Sequence, residues 1–313
     1  MRIGVIVDSA CDLPHDFIKQ HGIHILPVTF SIDGQTVVDD HSPEKTRTFH
    51  ASGMAARGHS ADTQPFSTEQ IRELFLKEIV TQYDFALVQT ITRARSQIYA
   101  NAEQAMSRIL TEYRPLRAAA GREGPFSMRV IDSGTFFAGQ GLLAAHTQHL
   151  IEKGVGKAEL RNQLSDFTNH IHGCLVPRDL SYVRERGRQR GDKSVPALAA
   201  FLSKALKITP LVWGNRHEGK PVAKARSFED ATRLMFDYGV RRVLAGLLSP
   251  YVCISYGMSD AEFEQLPGLA DLRRACEQRK VTLLATRAGI TSTIHIGPGC
   301  IGLALAAPPH AFS

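Results

Sequence analysis

The stretch Ile3-Gly4-Val5-Ile6-Val7-Asp8-Ser9-Ala10-Cys11-Asp12-Leu13-Pro14 decides the fold. Residues 3–7 form a short β-branched, apolar run that reads as a buried strand. Asp8 and Ser9 end it, and Pro14 suits the first turn of a helix. The same unit recurs downstream. Residues 85–88 read as a strand, followed by a helix over 96–113 with Ala102, Met106 and Leu110 at i, i+4 and i+8. Residues 128–131 read as a strand ending in Asp132-Ser133, and a helix follows over 139–151. Ser67 opens another helix. Gln70 completes a capping box with it, and Ile71, Leu74, Phe75 and Ile79 supply the apolar face. Residues 23–30 are a further apolar run, and 115–125 read as a loop. Strands alternating with helices of ten or more residues imply βαβ units and a parallel sheet. Ligands of such sheets sit beyond the C-terminal strand ends. Asp8-Ser9, Thr90-Ile91-Thr92 and Asp132-Ser133 lie there.

The second half has another texture. Arg184, Arg186, Arg188 and Arg190 alternate within 180–193, which reads as a solvated basic loop, an anionic-membrane contact or a dock for an acidic partner. A helix is expected over 197–206. Residues 208–213 and 221–225 flank the turn-rich segment 214–219 and predict a hairpin. A helix over 228–238 and strands over 251–256, 281–285, 292–296 and 300–304 complete a mixed α+β pattern. The expectation is an α/β protein of two domains. Residues 1–156 carry a parallel sheet in an α/β/α arrangement, and 157–313 carry a mixed sheet.

Composition narrows the classes of function. The 313 residues are 43% hydrophobic and 22% charged, which excludes a disordered chain. Five scattered cysteines with no CxxC fit buried reduced thiols better than disulfides or a zinc site. The net charge of +6 permits an anionic partner. No helix-turn-helix, aromatic RNA platform or zinc finger is legible, so nucleic acid is a minor reading. Apolar runs are too short to span a bilayer, and the first one is too short for a signal peptide, which leads to a cytoplasmic expectation. GxSxG, Walker A and HExxH motifs are absent from the sequence.

Several small constellations invite two readings. Gly139-Gln140-Gly141-Leu142-Leu143-Ala144 matches GxGxxA, but it lies well past its strand with no acidic residue at the proper distance; close helix packing is the better reading. His146 with His149, and His170 with His172, read as solvated or core histidines, not halves of a metal site. Thr63-Gln64-Pro65 closes a loop whose hydroxyl and backbone donors suit a carboxylate or phosphate. His295-Ile296-Gly297-Pro298-Gly299 places a histidine beside glycines where a ligand can approach the backbone.

These segments together resemble one family. Asp8-Ser9-Ala10-Cys11-Asp12-Leu13 is similar to the D-S-x-x-D-L opening of the DegV family, and Thr63-Gln64-Pro65 to its T-S-Q-P loop. Ser96-Gln97-Ile98-Tyr99 resembles S-G-[ST]-Y, and Val130-Ile131-Asp132-Ser133 resembles V-x-D-S. Leu180-Ser181-Tyr182-Val183 with Gly187-Arg188 resembles L-x-x-L-x-x-G-G-R, Lys207-Ile208-Thr209-Pro210 resembles K-x-x-P, and residues 295–299 resemble H-x-G-P-G. Their order is that of the family, and they span nearly the whole chain.

The resemblance implies a DegV-like fold that binds a long-chain fatty acid between two domains. It places the carboxylate near Thr63, Ser96 and His295, with Arg188 nearby and Gly297 at the backbone approach. The acyl chain would enter an apolar tunnel in the second domain, shaped by residues such as Phe201, Leu202 and Leu206. It also implies no cofactor and no metal, and a carrier that presents its acid to a separate fatty acid kinase subunit. A phosphotransferase or small-molecule kinase subunit related to dihydroxyacetone kinases is the alternative. Roughly fifteen methylenes at about 0.8 kcal/mol each give about 12 kcal/mol before binding costs, enough for an acid that survives purification. The chain departs from the pattern at Asp62, Gln97, Ile98 and Arg186. Asp62 either points away from the head group or implies a different one. Arg93 or Arg95 either pairs with the anion or is a solvated arginine at a helix start.

Overall fold

The computed structural model describes residues 1–32, 34–57, 60–189 and 208–312. Strand β1 (Ile3–Asp8) lies at the heart of a four-stranded parallel sheet with β2 (His24–Leu26), β6 (Phe85–Thr90) and β7 (Ser127–Asp132), in the order β2-β1-β6-β7. Ile3 lies opposite Phe85, and Phe85 opposite Ser127. The period-2 pleat sorts the apolar residues. Ile6, Ala86 and Val88 meet the helices α4 (Thr68–Leu74) and α5 (Ile98–Ile109), while Val5, Val7 and Leu87 meet α7 (Ala138–Glu152). Ser67 caps α4 with both bonds of its box: its hydroxyl accepts from Gln70 N at 3.3 Å, and its own N–H donates to Gln70 at 2.9 Å.

Pro27 splits the apolar run 23–30 between two sheets. Leu26 ends β2, and β3 (Val28–Ile32) pairs antiparallel with β4 (Gln35–Asp39) and β5 (Asp62–Pro65). Residues 63–65 are therefore strand and not loop. Their own propensity is poor, and pairing with β3 imposes the extended form.

The second sheet has six strands in the order β10-β9-β8-β13-β11-β12. They are β8 (Ile171–Val176), β9 (Thr209–Asn215), β10 (Glu218–Ala225), β11 (Tyr251–Tyr256), β12 (Thr282–Arg287) and β13 (Ile301–Ala306). The pairing is mixed: β11 runs parallel to β12 and antiparallel to β13. The hairpin β9–β10 turns on Arg216 and His217 alone, both at positive φ. One face, with Leu211, Val252, Ile254 and Leu303, packs on the helices Phe228–Ala245 and Leu269–Arg279. The other face, with Cys253, Ala304 and Ala306, packs on α7. Twelve of the fifteen residues of α7 are buried, because it is covered by a sheet on either side. Gly141 is what lets it approach: a Cβ there would lie 2.3 Å from Asp12 O. The GxGxxA segment is thus a packing device.

Three further expectations need correction or placing. Residues 292–296 are helical, within the helix Ile290–Ile296, despite the β-branched run; the reason lies in the site described next. The segment 115–125 is partly helical, in Tyr113–Ala119, where Tyr113 and Arg117 bury one face at i, i+4. The helix expected over 197–206 and the side chains of Phe201, Leu202 and Leu206 fall outside the described residues, as do Lys193 and Lys207. All five cysteines are buried and free. His146 stacks on Phe167 at 3.8 Å, and His172 on Trp213 at 5.5 Å; burial pushes each imidazole down to about 4.

Candidate functional site

The helix Ile290–Ile296 is made by its surroundings. Five of its seven residues are β-branched, a poor helical composition. Two buried carboxylates from the first half hold its N-terminus. Asp39, at the end of β4, accepts from the N–H and hydroxyl of Thr291 at 2.9 and 2.7 Å. Asp12 accepts from Gly289 N at 3.0 Å and from the Ser255 hydroxyl. Charge-assisted bonds at a helix N-terminus satisfy its orphan donors and complement its dipole. At the other end, Gly297 takes φ +87° and donates to Thr293 O at 2.8 Å. A Cβ on Gly297 would lie 3.0 Å from the Tyr182 ring. His295 therefore sits in the last turn of a short helix fixed at both ends.

Helix α9 (Leu180–Gln189) crosses it. Tyr182 and Arg186 share the buried face of α9 at i, i+4 spacing. The Tyr182 hydroxyl donates to Ile294 O at 2.9 Å. Arg186, only 4% exposed, donates to three acceptors. Its Nε reaches His295 Nδ1 at 3.4 Å, its Nη2 reaches the Thr63 hydroxyl at 3.0 Å, and its Nη1 bonds Ala61 O. A guanidinium, a threonine hydroxyl and an imidazole thus meet at one place, donated by three separate elements.

The other sequence-derived positions have partners of their own. Ser96 is half-buried at the start of α5, and its hydroxyl accepts from Ile98 N at 3.2 Å. Ile98 itself shares an apolar cluster with Ile296 and Phe137. Asp62 points out of β5 to solvent, where it accepts from Gln64 at 3.0 Å, while Thr63 points in. The pleat alone separates the two. Arg93 is exposed and lies 3.3 Å from Asp132. The exposed Arg95 sits over the Phe136 ring, 5.4 Å from its centroid. Arg188 is 77% exposed and pairs with Glu185 at 2.9 Å. Arg186, which the sequence reading did not single out as a site residue, stands beside Thr63 instead. The signal was present: read at helical period, Tyr182 and Arg186 share a face, and the alternating arginines do not.

Next to His295, Ile296 lines a small apolar cavity of about 50 Å³ with Phe136, Phe137, Leu175 and Val212. Gly173, Gly214 and Gly302 line it from the second sheet. Gly173 and Gly214 face each other across β8 and β9. The cavity therefore lies in the seam between the sheets. At the nearby strand ends, Asp8 accepts from Ile91 N at 2.6 Å and Ala10 N at 2.9 Å. Burial outweighs those bonds and raises its carboxyl to about 6. Among the described residues no group of three or more His, Cys, Asp or Glu is arranged to hold a metal ion. What the arrangement can do is bind an anion at its polar end and apolar groups in the seam.

A family model described as uncharacterised protein, DegV family, matches residues 2–307. The chain belongs to the DegV family. It is 44% identical over 314 residues to a DegV domain-containing protein of Xanthomonas axonopodis pv. citri, covering all of both chains. This DegV-family chain is also 22% identical over 308 residues to a fatty acid-binding protein of Thermotoga maritima, covering 97% of this chain and 98% of that protein. Among solved structures it matches a DegV lipid-binding protein of Thermotoga maritima with TM-score 0.75 and 19% identity, over 99% of this chain and 100% of that one. DegV of Bacillus subtilis, described as a fatty acid-binding protein, matches with TM-score 0.75 and 18% identity, over 98% and 100%. The α/β fold with one parallel and one mixed sheet is thus the DegV fold.

Proposed function

We propose that this protein binds a long-chain fatty acid, with the carboxylate at Thr63, Arg186 and His295 and the acyl chain in the seam lined by Phe136, Phe137 and Ile296. The observation that carries the reading is the meeting of the Arg186 guanidinium with Thr63 and His295, while Ile296, the residue after His295, lines an apolar cavity. A guanidinium matches a carboxylate bidentately, and charge-assisted bonds contribute about 1.5–3 kcal/mol each. Ser96 closes the head-group end, and Gly297 keeps the backbone clear beside Tyr182. Arg188, Asp62, Arg93 and Arg95 lie outside this contact set. The cavity of about 50 Å³ is far below the roughly 300–1,000 Å³ of ordinary ligand pockets, so the seam must widen to admit a tail. The reading divides the chain at 156/157, with the head-group residues drawn from both sides of that line. It makes the protein a carrier without chemistry of its own, acting in the cytoplasm. Phosphoryl transfer to the carboxylate belongs in this scheme to a separate kinase, and the exposed Arg188 of α9 is a contact for an anionic membrane.

Mass spectrometry of an organic extract of the purified, denatured protein tests the reading. A near-stoichiometric fatty acid in the native protein, lost in a Thr63→Val/His295→Ala variant that stays folded, is the expected result. A blank extract, together with no saturable binding of added palmitate or oleate, refutes it.

A further inference from the structure

A second cavity of about 230 Å³ lies outside the head-group region, and its chemistry is different. One wall is β7, the edge strand of the parallel sheet. The opposite wall is α8 (Lys157–Phe167), which turns Arg161, Asn162 and Ser165 toward it at i, i+1 and i+4. Four arginines line the space: Arg93, Arg129, Arg161 and Arg216. Asp132 is the one carboxylate on its walls.

The charges do not cancel. Among the described residues only Arg93 of the four has a carboxylate partner, Asp132 at 3.3 Å from its Nε. Asp132 is itself committed to backbone donors, Gly134 N at 2.9 Å and Arg93 N at 3.2 Å. Arg216 is oriented by the neutral side chain of Asn169. Tyr99, also on the wall, engages Glu103 at 2.8 Å. Four guanidinium groups against one carboxylate leave an excess of three positive charges around one recess. Like charges so gathered repel one another, and a multivalent anion relieves the repulsion. Arginine forks match phosphate oxygens bidentately, and the recess brings those forks in from the sheet edge, the facing helix and the β9–β10 turn. A single carboxylate would neutralise only a third of the excess.

We infer that this recess binds a phosphate-bearing anion of at least two negative charges, at a site separate from Thr63, Arg186 and His295. The volume admits one or two phosphoryl groups, and the unpaired edge of β7 supplies backbone donors beside them. The site shares no residue with that head-group set, and only Arg216 of its four arginines also lines the apolar seam.

The test is calorimetric titration of the intact protein with sodium pyrophosphate and with inorganic phosphate, at 50 and 150 mM sodium chloride. Saturable one-to-one binding of pyrophosphate is expected. An Arg129→Gln/Arg161→Gln variant should weaken it at least tenfold with an unchanged melting temperature. An Arg47→Gln/Arg114→Gln variant, with the same loss of charge at exposed positions elsewhere, should retain it. Flotation with phosphatidylcholine vesicles containing phosphatidate, run on the same variants, separates a lipid phosphate from a soluble one. Loss that follows Arg129 and Arg161 in either assay supports the site. Equal loss in both variants, or no saturable binding in either assay, overturns it.

Discussion

Gly173 offers the sharpest test of the seam between the sheets. A Cβ built on it meets nothing within 4 Å, because it points into the apolar cavity. Its cross-strand neighbour Gly214 is the opposite case: a Cβ there would lie 2.1 Å from Glu218 O. Gly173→Ala therefore adds a methyl without a clash. It also restricts the unfolded chain, worth about 0.4–1 kcal/mol. The expected gain is about 0.7 kcal/mol of stabilisation, or a rise of about 1–2 °C in melting temperature for a chain of this size. Gly214→Ala forces a backbone shift and should destabilise by about 1–3 kcal/mol. Thermal melts followed by circular dichroism measure both. Gly173→Val carries the test to function: it fills the seam, so the stable variant should lose co-purifying fatty acid. A Gly173→Ala protein that melts as low as Gly214→Ala would refute the open face. A stable Gly173→Val protein that retains its full complement of acid would refute the route of the tail.

Other consequences of the geometry are as direct. Arg186→Met removes the bonds to the Thr63 hydroxyl and the Ala61 carbonyl, and should lower stability by about 1–3 kcal/mol in urea titrations, while Arg188→Gln, which removes only an exposed pair, should stay within about 0.5 kcal/mol. Thr291→Val removes the hydroxyl bond to Asp39 and should cost about 1.5–3 kcal/mol, with amide exchange quickening across 290–296. Asp8 gives a pH signature. Its folded pKa of about 6 lies above the ordinary aspartate value of 3.8, so the folded state binds more protons between those limits. Its contribution is fully present below about 3.8 and is lost as pH rises through about 6. Relative to Asp8→Asn, the native protein should lose about 2.5 kcal/mol of stability between pH 4 and pH 7, and a flat difference would refute that burial.

How much of this was legible in the sequence depended on which forces were local. The run 3–7 announces a strand because β-branched residues buried on both faces have few other homes. The Ser67–Gln70 box announces a helix start because both partners lie in one short segment. The helix carrying His295 was not legible. Its β-branched residues favour a strand, and the carboxylates that reverse the preference, Asp12 and Asp39, lie more than 250 residues away. The strand 62–65 likewise exists through its pairing with β3. Arg186 was visible as a residue but not as a site, since an alternating reading of 184–190 hides the helical face it shares with Tyr182. The group of four arginines was least legible of all, for it gathers positions from 93 to 216 across a sheet edge, a helix and a hairpin turn.

The helix α7 has a consequence for how the molecule is made. Its last residue is Glu152, and the strand that finishes the sheet on its far side ends at Ala306. At a ribosomal rate of about 5–20 residues per second, roughly 8–30 seconds separate the two. Through much of that interval the helix can cover the first sheet and meet α8 and β8, but the part of it that packs on β11 and β13 has no partner. A growing chain thus displays part of a helix that is buried in the finished fold, and its safety before release depends on holding that surface apart from other nascent chains.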